Sequence, residues 1–203
     1  MKIPKLGQTP SPALVELAES VRNISSEMLR VDGDHPGLDQ ARRTLDEVAE
    51  LLSSIGSRAD MPRIFADGDP STTRPYYFPG ALAPRVHVAA PWMTAQQEET
   101  RRFGKVRFEL IHEGPPSYVH GGFVAWMFDQ AFGQHVVSSD LPGPTHRLEI
   151  TYRRPAPIHS ELDYEVSTER REGRKLFVCG SLRDGDSLLA EASALFVQPK
   201  GTF

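Results

Sequence analysis

A single cysteine, Cys179, stands among the 203 residues. It has no partner for an internal disulfide, and a lone thiol favours a reducing compartment. No block of lysine and arginine occurs and the formal net charge is −4, so nothing points to nucleic acid or to an anionic membrane surface. The densest basic cluster, Arg170-Arg171 with Arg174-Lys175, flanks Gly173 and reads as a solvated hairpin end. No apolar run reaches membrane-spanning length, and Met1–Gln8 lacks the apolar core of a signal peptide. The expectation is a soluble cytoplasmic protein without stable membrane insertion. Cys-x-x-Cys and His-Glu-x-x-His are both absent, so no metal is expected. Gly-x-Gly-x-x-Gly, the P-loop and Gly-x-Ser-x-Gly are absent too, which removes the common dinucleotide, nucleotide and serine-nucleophile chemistries.

What is present falls into three stretches. Residues 1–60 hold two amphipathic segments. Ser11-Pro12 is a cap and first-turn pair, and Leu14, Leu17, Ala18, Val21, Ser25 and Met28 then recur at helical spacing. Asp32–Gly37 reads as a turn. Leu38, Ala41, Leu45, Val48, Leu52 and Ile55 form a second stripe. The expectation is a helical hairpin that packs on the main domain or on a partner subunit. Residues 61–82 are a proline-rich connection carrying Tyr76-Tyr77-Phe78, expected to lie across the main domain. Residues 83–203 form that domain. Strands are expected at Val86–Ala90, Phe103–His112, Arg147–Arg154, Glu161–Thr168, Lys175–Arg183 and Leu188–Val197, with hairpin turns at Glu172-Gly173 and Asp184-Gly185. One long helix followed by antiparallel strands is an α+β pattern.

That helix, from 120 to about 137, carries the chemistry. The turn formers Gly114–Ser117 lead into Tyr118-Val119-His120-Gly121-Gly122, and Asp129 follows nine residues after the histidine. Glycines let a ligand approach the backbone closely. A helix start offers free N–H groups and a positive dipole end to a developing negative charge. A carboxylate further along can act as base or nucleophile. Together these parts suit attack on a carbonyl. At about 100° per residue, Phe123, Val124, Met127, Phe128, Ala131 and Phe132 share one face, with Asp129 roughly opposite beside Trp126 and Gly133. A helix apolar nearly all round is buried nearly all round, so a second subunit is expected to cover the Asp129 side. Cys179, mid-strand, is expected to be a small buried hydrophobe.

These residues resemble the hotdog-fold thioesterases, and within them the PaaI-like acyl-coenzyme A thioesterase group. The likeness rests on Val119-His120-Gly121-Gly122, on Asp129, on Thr145 sixteen residues later, and on Leu148–Pro155 with its Tyr-x-Arg-Pro ending. It covers residues 83 to 199. It implies a curved antiparallel sheet wrapped around one long helix, paired as a homodimer or a dimer of dimers, with sites built from both subunits. It implies Asp129 as base or nucleophile, an N–H of Gly121 or Gly122 as the thioester oxygen's donor, His120 as the motif histidine, and Thr145 placing the water. The run Phe123–Phe128 is bulkier than is common there, which bears on the acyl pocket.

The activity expected is hydrolysis of acyl-coenzyme A to a carboxylic acid and free coenzyme A, with no cofactor. Val119, Phe123 and Trp126 are candidate substrate contacts, and Arg153 and Arg154 can meet coenzyme A phosphates. His87 and His112, on expected strands, read as core or surface histidines. The rival readings are an acyl-thioester hydratase or dehydratase, and a non-catalytic hotdog protein that binds acyl-coenzyme A or serves in assembly.

Overall fold

The alternation read from the C-terminal half becomes one antiparallel sheet in a computed structural model, which describes residues 11–55, 87–98, 100–139 and 143–200. The Tyr76-Tyr77-Phe78 segment and the whole 61–82 connection lie outside the described residues, as does Val86. The chain divides into two compact units, residues 1–78 and 79–203.

In the first unit, α1 (Pro12–Met28) starts as expected, with the Ser11 side chain accepting from the Leu14 N–H at 3.2 Å. A turn closed by Asp32 and His35 leads to α2 (Leu38–Ser54). The two helices follow one another without packing along each other, and α2 buries none of its residues.

The second unit contains β1 (Trp92–Met93), β2 (Gln96–Gln97), β3 (Arg101–Arg107), α3 (Gly121–Val137), β4 (Thr145–Tyr152), β5 (Glu161–Glu172), β6 (Lys175–Asp184) and β7 (Ser187–Val197). The sheet order is β1-β3-β5-β6-β7-β4, with β2 also paired to β3. All pairings are antiparallel. The β5–β6 and β6–β7 turns fall at Gly173 and Gly185, whose φ values of 57° and 53° suit glycine. β4 forms one edge of the sheet.

Side chains alternate across the sheet, and one face of each strand packs on α3. Val106, Leu162, Val166, Val178, Leu182 and Phe196 meet Val124, Met127, Phe128, Ala131, Phe132 and Val136. The 3.6-residue spacing on α3 and the two-residue spacing on the strands turn both apolar sets inward. Burying each large side chain contributes about 1.5–3 kcal/mol. Helix and sheet come close where small residues allow it. A Cβ on Gly180 would stand 3.1 Å from the Phe132 ring and 2.8 Å from the Glu165 carbonyl oxygen.

Three expectations are corrected here. Residues 87–90 form a turn and not a strand, because the His87 carbonyl and imidazole take the N–H groups of Ala90 and Ala89. β3 ends at Arg107, and Leu110–His112 form a 3-10 turn in which Glu109 and His112 cap each other's backbone; His112 is buried there. Cys179 is only half-buried, on the face away from the helix, with its sulfur 3.4 Å from the Ser167 hydroxyl.

Candidate active site

The loop before α3 is pinned from several sides. Gly114 and Tyr118 N–H groups bond back within it, Val119 N–H donates to Ala156, and His120 N–H donates to the His112 carbonyl at 2.8 Å. Ser117 takes a φ of 70°. A Cβ on Gly114 would lie 2.8 Å from the His120 Cα, so only glycine lets these strands of loop meet.

His120 is therefore the N-cap of α3, with φ −62° and ψ 131°. Its Nδ1 accepts the Gly122 N–H at 3.0 Å, so the ring proton of the neutral form belongs on Nε2. This divides the two glycines. The Gly122 N–H is engaged, and of the pair only Gly121 keeps an N–H with no bond among the described residues. It points from the first turn of a helix, where the backbone leaves donors unpaired. Tyr152, at the end of β4, donates its hydroxyl to the Gly121 carbonyl at 2.8 Å and lays its ring beside the Gly121 Cα, so that an added Cβ would sit 3.3 Å from it.

Asp129 and Thr145 are brought together. The Thr145 hydroxyl donates to Asp129 Oδ1 at 2.8 Å. Asp129 is half-buried, and its other oxygen accepts no bond among the described residues. Gly121 and Asp129, by contrast, stand eight residues apart on one helix, about 12 Å along its axis.

A cavity of about 360 Å³ opens at the helix start, lined by Val119, Gly121, Val124, Tyr152, Leu189 and neighbours. Arg153 and Arg154 belong to the same lining. Arg153 pairs with Glu191 at 2.8 Å, and Arg154 donates to the Leu188 carbonyl. Phe123 and Trp126 do not line it. They form an aromatic row on another flank of α3, where Phe123 lies 4.8 Å from the His112 ring and Trp126 lies 4.9 Å from His87. A second depression of about 370 Å³ lies on the outer face of the sheet between Glu149, Glu165, Cys179 and Glu191; it holds none of the candidate site residues.

Two arrangements were not visible in the sequence. The bond of Tyr152 to Gly121 depends on the approach of β4 to α3, which no strand alternation encodes. At the far end of α3, Arg102 donates to Gln134 at 2.6 Å and His135 meets the Thr168 hydroxyl at 2.9 Å. Burial, and then Arg102, push the His135 imidazole below its ordinary value. Burial does the same to His112, outweighing the Ala89 and Glu109 carbonyls. Among the described residues no set of three His, Cys, Asp or Glu side chains is placed to hold a metal ion, and no helix is long and apolar enough to cross a membrane.

A family model described as the thioesterase superfamily matches residues 117–191, the span from the α3 loop to the middle of β7. An acyl-coenzyme A thioesterase of Mus musculus, THEM4, is 36% identical over 88 residues, which are 42% of this chain and 38% of that protein. The match thus spans about two fifths of the curated relative's length. Among solved structures, the thioesterase superfamily protein RHA08564 aligns over 95% of both chains with a TM-score of 0.78 and 22% identity. Protein smu.793 of Streptococcus mutans UA159, bound to acetyl CoA, aligns over 55% of this chain and 92% of that one with a TM-score of 0.50 and 16% identity. The fold is shared with those structures, an α+β hotdog, with N-terminal helices added.

Proposed function

We propose that this chain hydrolyses acyl-coenzyme A thioesters, working as a homodimer whose two sites each combine the helix start of one protomer with Asp129 of the other. The observation that carries the reading is the pairing of a carboxylate anchored by Thr145 with a free Gly121 N–H some 12 Å away on the same helix. Two α3 helices lying antiparallel across a two-fold axis bring one protomer's N–H near the other's carboxylate. The exposed edge strand β4 supports the same pairing, since its unpaired N–H and C=O groups await a further strand.

Thr145 holds Oδ1 of Asp129 and leaves Oδ2 to take a proton from water. The hydroxide attacks the thioester carbonyl carbon. The oxygen of that carbonyl gains charge and is stabilised by the Gly121 N–H, made more acidic by the dipole of the helix behind it. Collapse breaks the C–S bond, and the leaving thiolate receives the proton held by Asp129. The products are a carboxylic acid and free coenzyme A. His120 keeps the first turn closed through Gly122. The cavity beside Gly121 is apolar inside with Arg153 and Arg154 in its wall, which suits a pantetheine arm ending in phosphates. The THEM4 likeness and the acetyl CoA held by smu.793 agree with this choice of substrate.

The test is thiol release from acyl-coenzyme A of short, medium and long chain, for the wild type beside Asp129→Asn. Turnover that falls at least ~100-fold in the variant is expected from loss of a general base. Tight binding of acyl-coenzyme A with no turnover in either protein would refute the enzyme reading and favour a binding protein.

A further inference from the structure

The thioester site makes no use of a pattern in α2. Leu38, Ala41, Leu45, Val48, Leu52 and Ile55 recur at alternating steps of three and four. Their mean spacing is that of a heptad, in which positions a and d form a seam that stays against a partner helix. With Leu38 at a, the seam runs a-d-a-d-a-d without a break, while Asp39, Arg43, Asp46, Glu47 and Glu50 fall on the opposite side. Arg42 is drawn to that polar side by Asp46, 2.8 Å away. Among the described residues the seam stays exposed. The large apolar side chains of α2 and Ile55 at its end are 37 to 73% exposed, and α1 does not pack along it.

We infer that α2 pairs antiparallel with α2 of a second copy of this chain. The direction follows from side-chain size. In a parallel pair each position meets itself, so Ala41 would face Ala41 and leave a thin layer. In the antiparallel register Leu38 faces Ile55, Ala41 faces Leu52 and Leu45 faces Val48, and every layer has one large member. The flanking positions then set Arg42 beside Ala49 and Thr44 beside Leu51, with no like charges opposed. Covering the seam on both copies removes roughly 1,000 Å² of surface, the size at which a contact between proteins becomes specific. The antiparallel arrangement also places each helix dipole against its opposite.

The test uses the full chain in a Cys179→Ser background. Leu38→Cys combined with Ile55→Cys should give a covalent dimer under mild oxidation, because the two positions meet across the pair. Leu38→Cys alone should stay uncrosslinked, its two sulfurs lying at opposite ends of a pair about 26 Å long. In sedimentation, Leu45→Glu with Val48→Glu should remove an association step or weaken it at least tenfold, while Glu50→Lys on the outer side leaves it unchanged. Crosslinking by Leu38→Cys alone would mean a parallel pair and overturn the register. A double-cysteine chain that stays monomeric on a non-reducing gel, or association untouched by the paired glutamates, would overturn the contact itself.

Discussion

The proposed shared site can be tested by mixing two inactivated variants. Gly121 occupies the first position of α3, where proline is tolerated because the helix makes no use of that N–H. His120 before it already has φ −62° and ψ 131°, the extended conformation a following proline demands. Gly121→Pro therefore removes the proposed oxyanion donor with little disturbance beyond the Tyr152 ring, which is 53% exposed and free to shift. Loss of one such donor costs about 100- to 1,000-fold in turnover, and Asp129→Asn costs at least ~100-fold. Each variant alone should keep ~1% of activity or less. Co-expressed in equal amounts, half of the dimers are mixed. Each mixed dimer has one site with both lesions and one with Gly121 from one chain and Asp129 from the other. Such a two-fold assembly should recover roughly a quarter of wild-type activity. Thiol release on the mixture, with sedimentation to confirm that mixed dimers exist, reads the result. Activity no higher than that of the separate variants, in the presence of mixed dimers, would refute the distance argument and return both groups to one chain.

Three further outcomes follow from the structure. Tyr152→Phe removes the hydroxyl bonded to the Gly121 carbonyl; at about 1 kcal/mol for such a bond, kcat should fall by roughly five- to tenfold with KM little changed, and an unchanged kcat would free the helix start from Tyr152. Burial keeps His112 and His135 below the ordinary 6.5, so the unfolded chain takes up protons first and stability should fall as pH drops below 6.5, levelling once the folded imidazoles also charge. Melting curves from pH 8 to 5 should show this slope, and the double variant His112→Asn with His135→Asn should flatten it. Gly180→Ala forces a methyl to within 2.8 Å of the Glu165 carbonyl oxygen and the Val166 side chain; overpacking of this kind costs about 1–3 kcal/mol, and calorimetry should record a lower Tm.

How far the sequence could be read depended on whether a contact follows from a period. The buried face of α3 was legible because Val124, Met127, Phe128, Ala131 and Phe132 share one side of a 3.6-residue helix, and no other side could hold them. β5, β6 and β7 were legible because glycine at 173 and 185 marks where the chain must turn with positive φ. The Thr145–Asp129 bond lay behind the motif spacing but needed the strand after α3 to return along it. The end of β3 was not legible. Phe108 and Leu110 continue an apolar alternation, yet His112 folds its ring back on the Glu109 N–H at 2.7 Å, a local bond that outcompetes the ladder and that no periodicity encodes.

The same limit explains why the two glycines after His120 looked equivalent and are not. Both stand at the start of a helix, and both carry an N–H that the helix leaves free. Which one remains available is decided by the rotamer of His120, whose Nδ1 reaches two residues forward to Gly122. A histidine cap thus selects its own donor. By closing on Gly122 it leaves Gly121 open, and the Gly121 N–H shares a peptide unit with the His120 carbonyl, which accepts from Phe123 at 2.9 Å. That bond polarises the peptide and makes its N–H a stronger donor. In the proposed mechanism His120 acts through backbone, by its bond to Gly122. Replacing it with asparagine, which caps in the same way, should preserve most activity, whereas alanine should lower kcat by about fivefold through the loss of roughly 1 kcal/mol of capping. Equal loss in both variants would instead assign the imidazole a direct part in the chemistry.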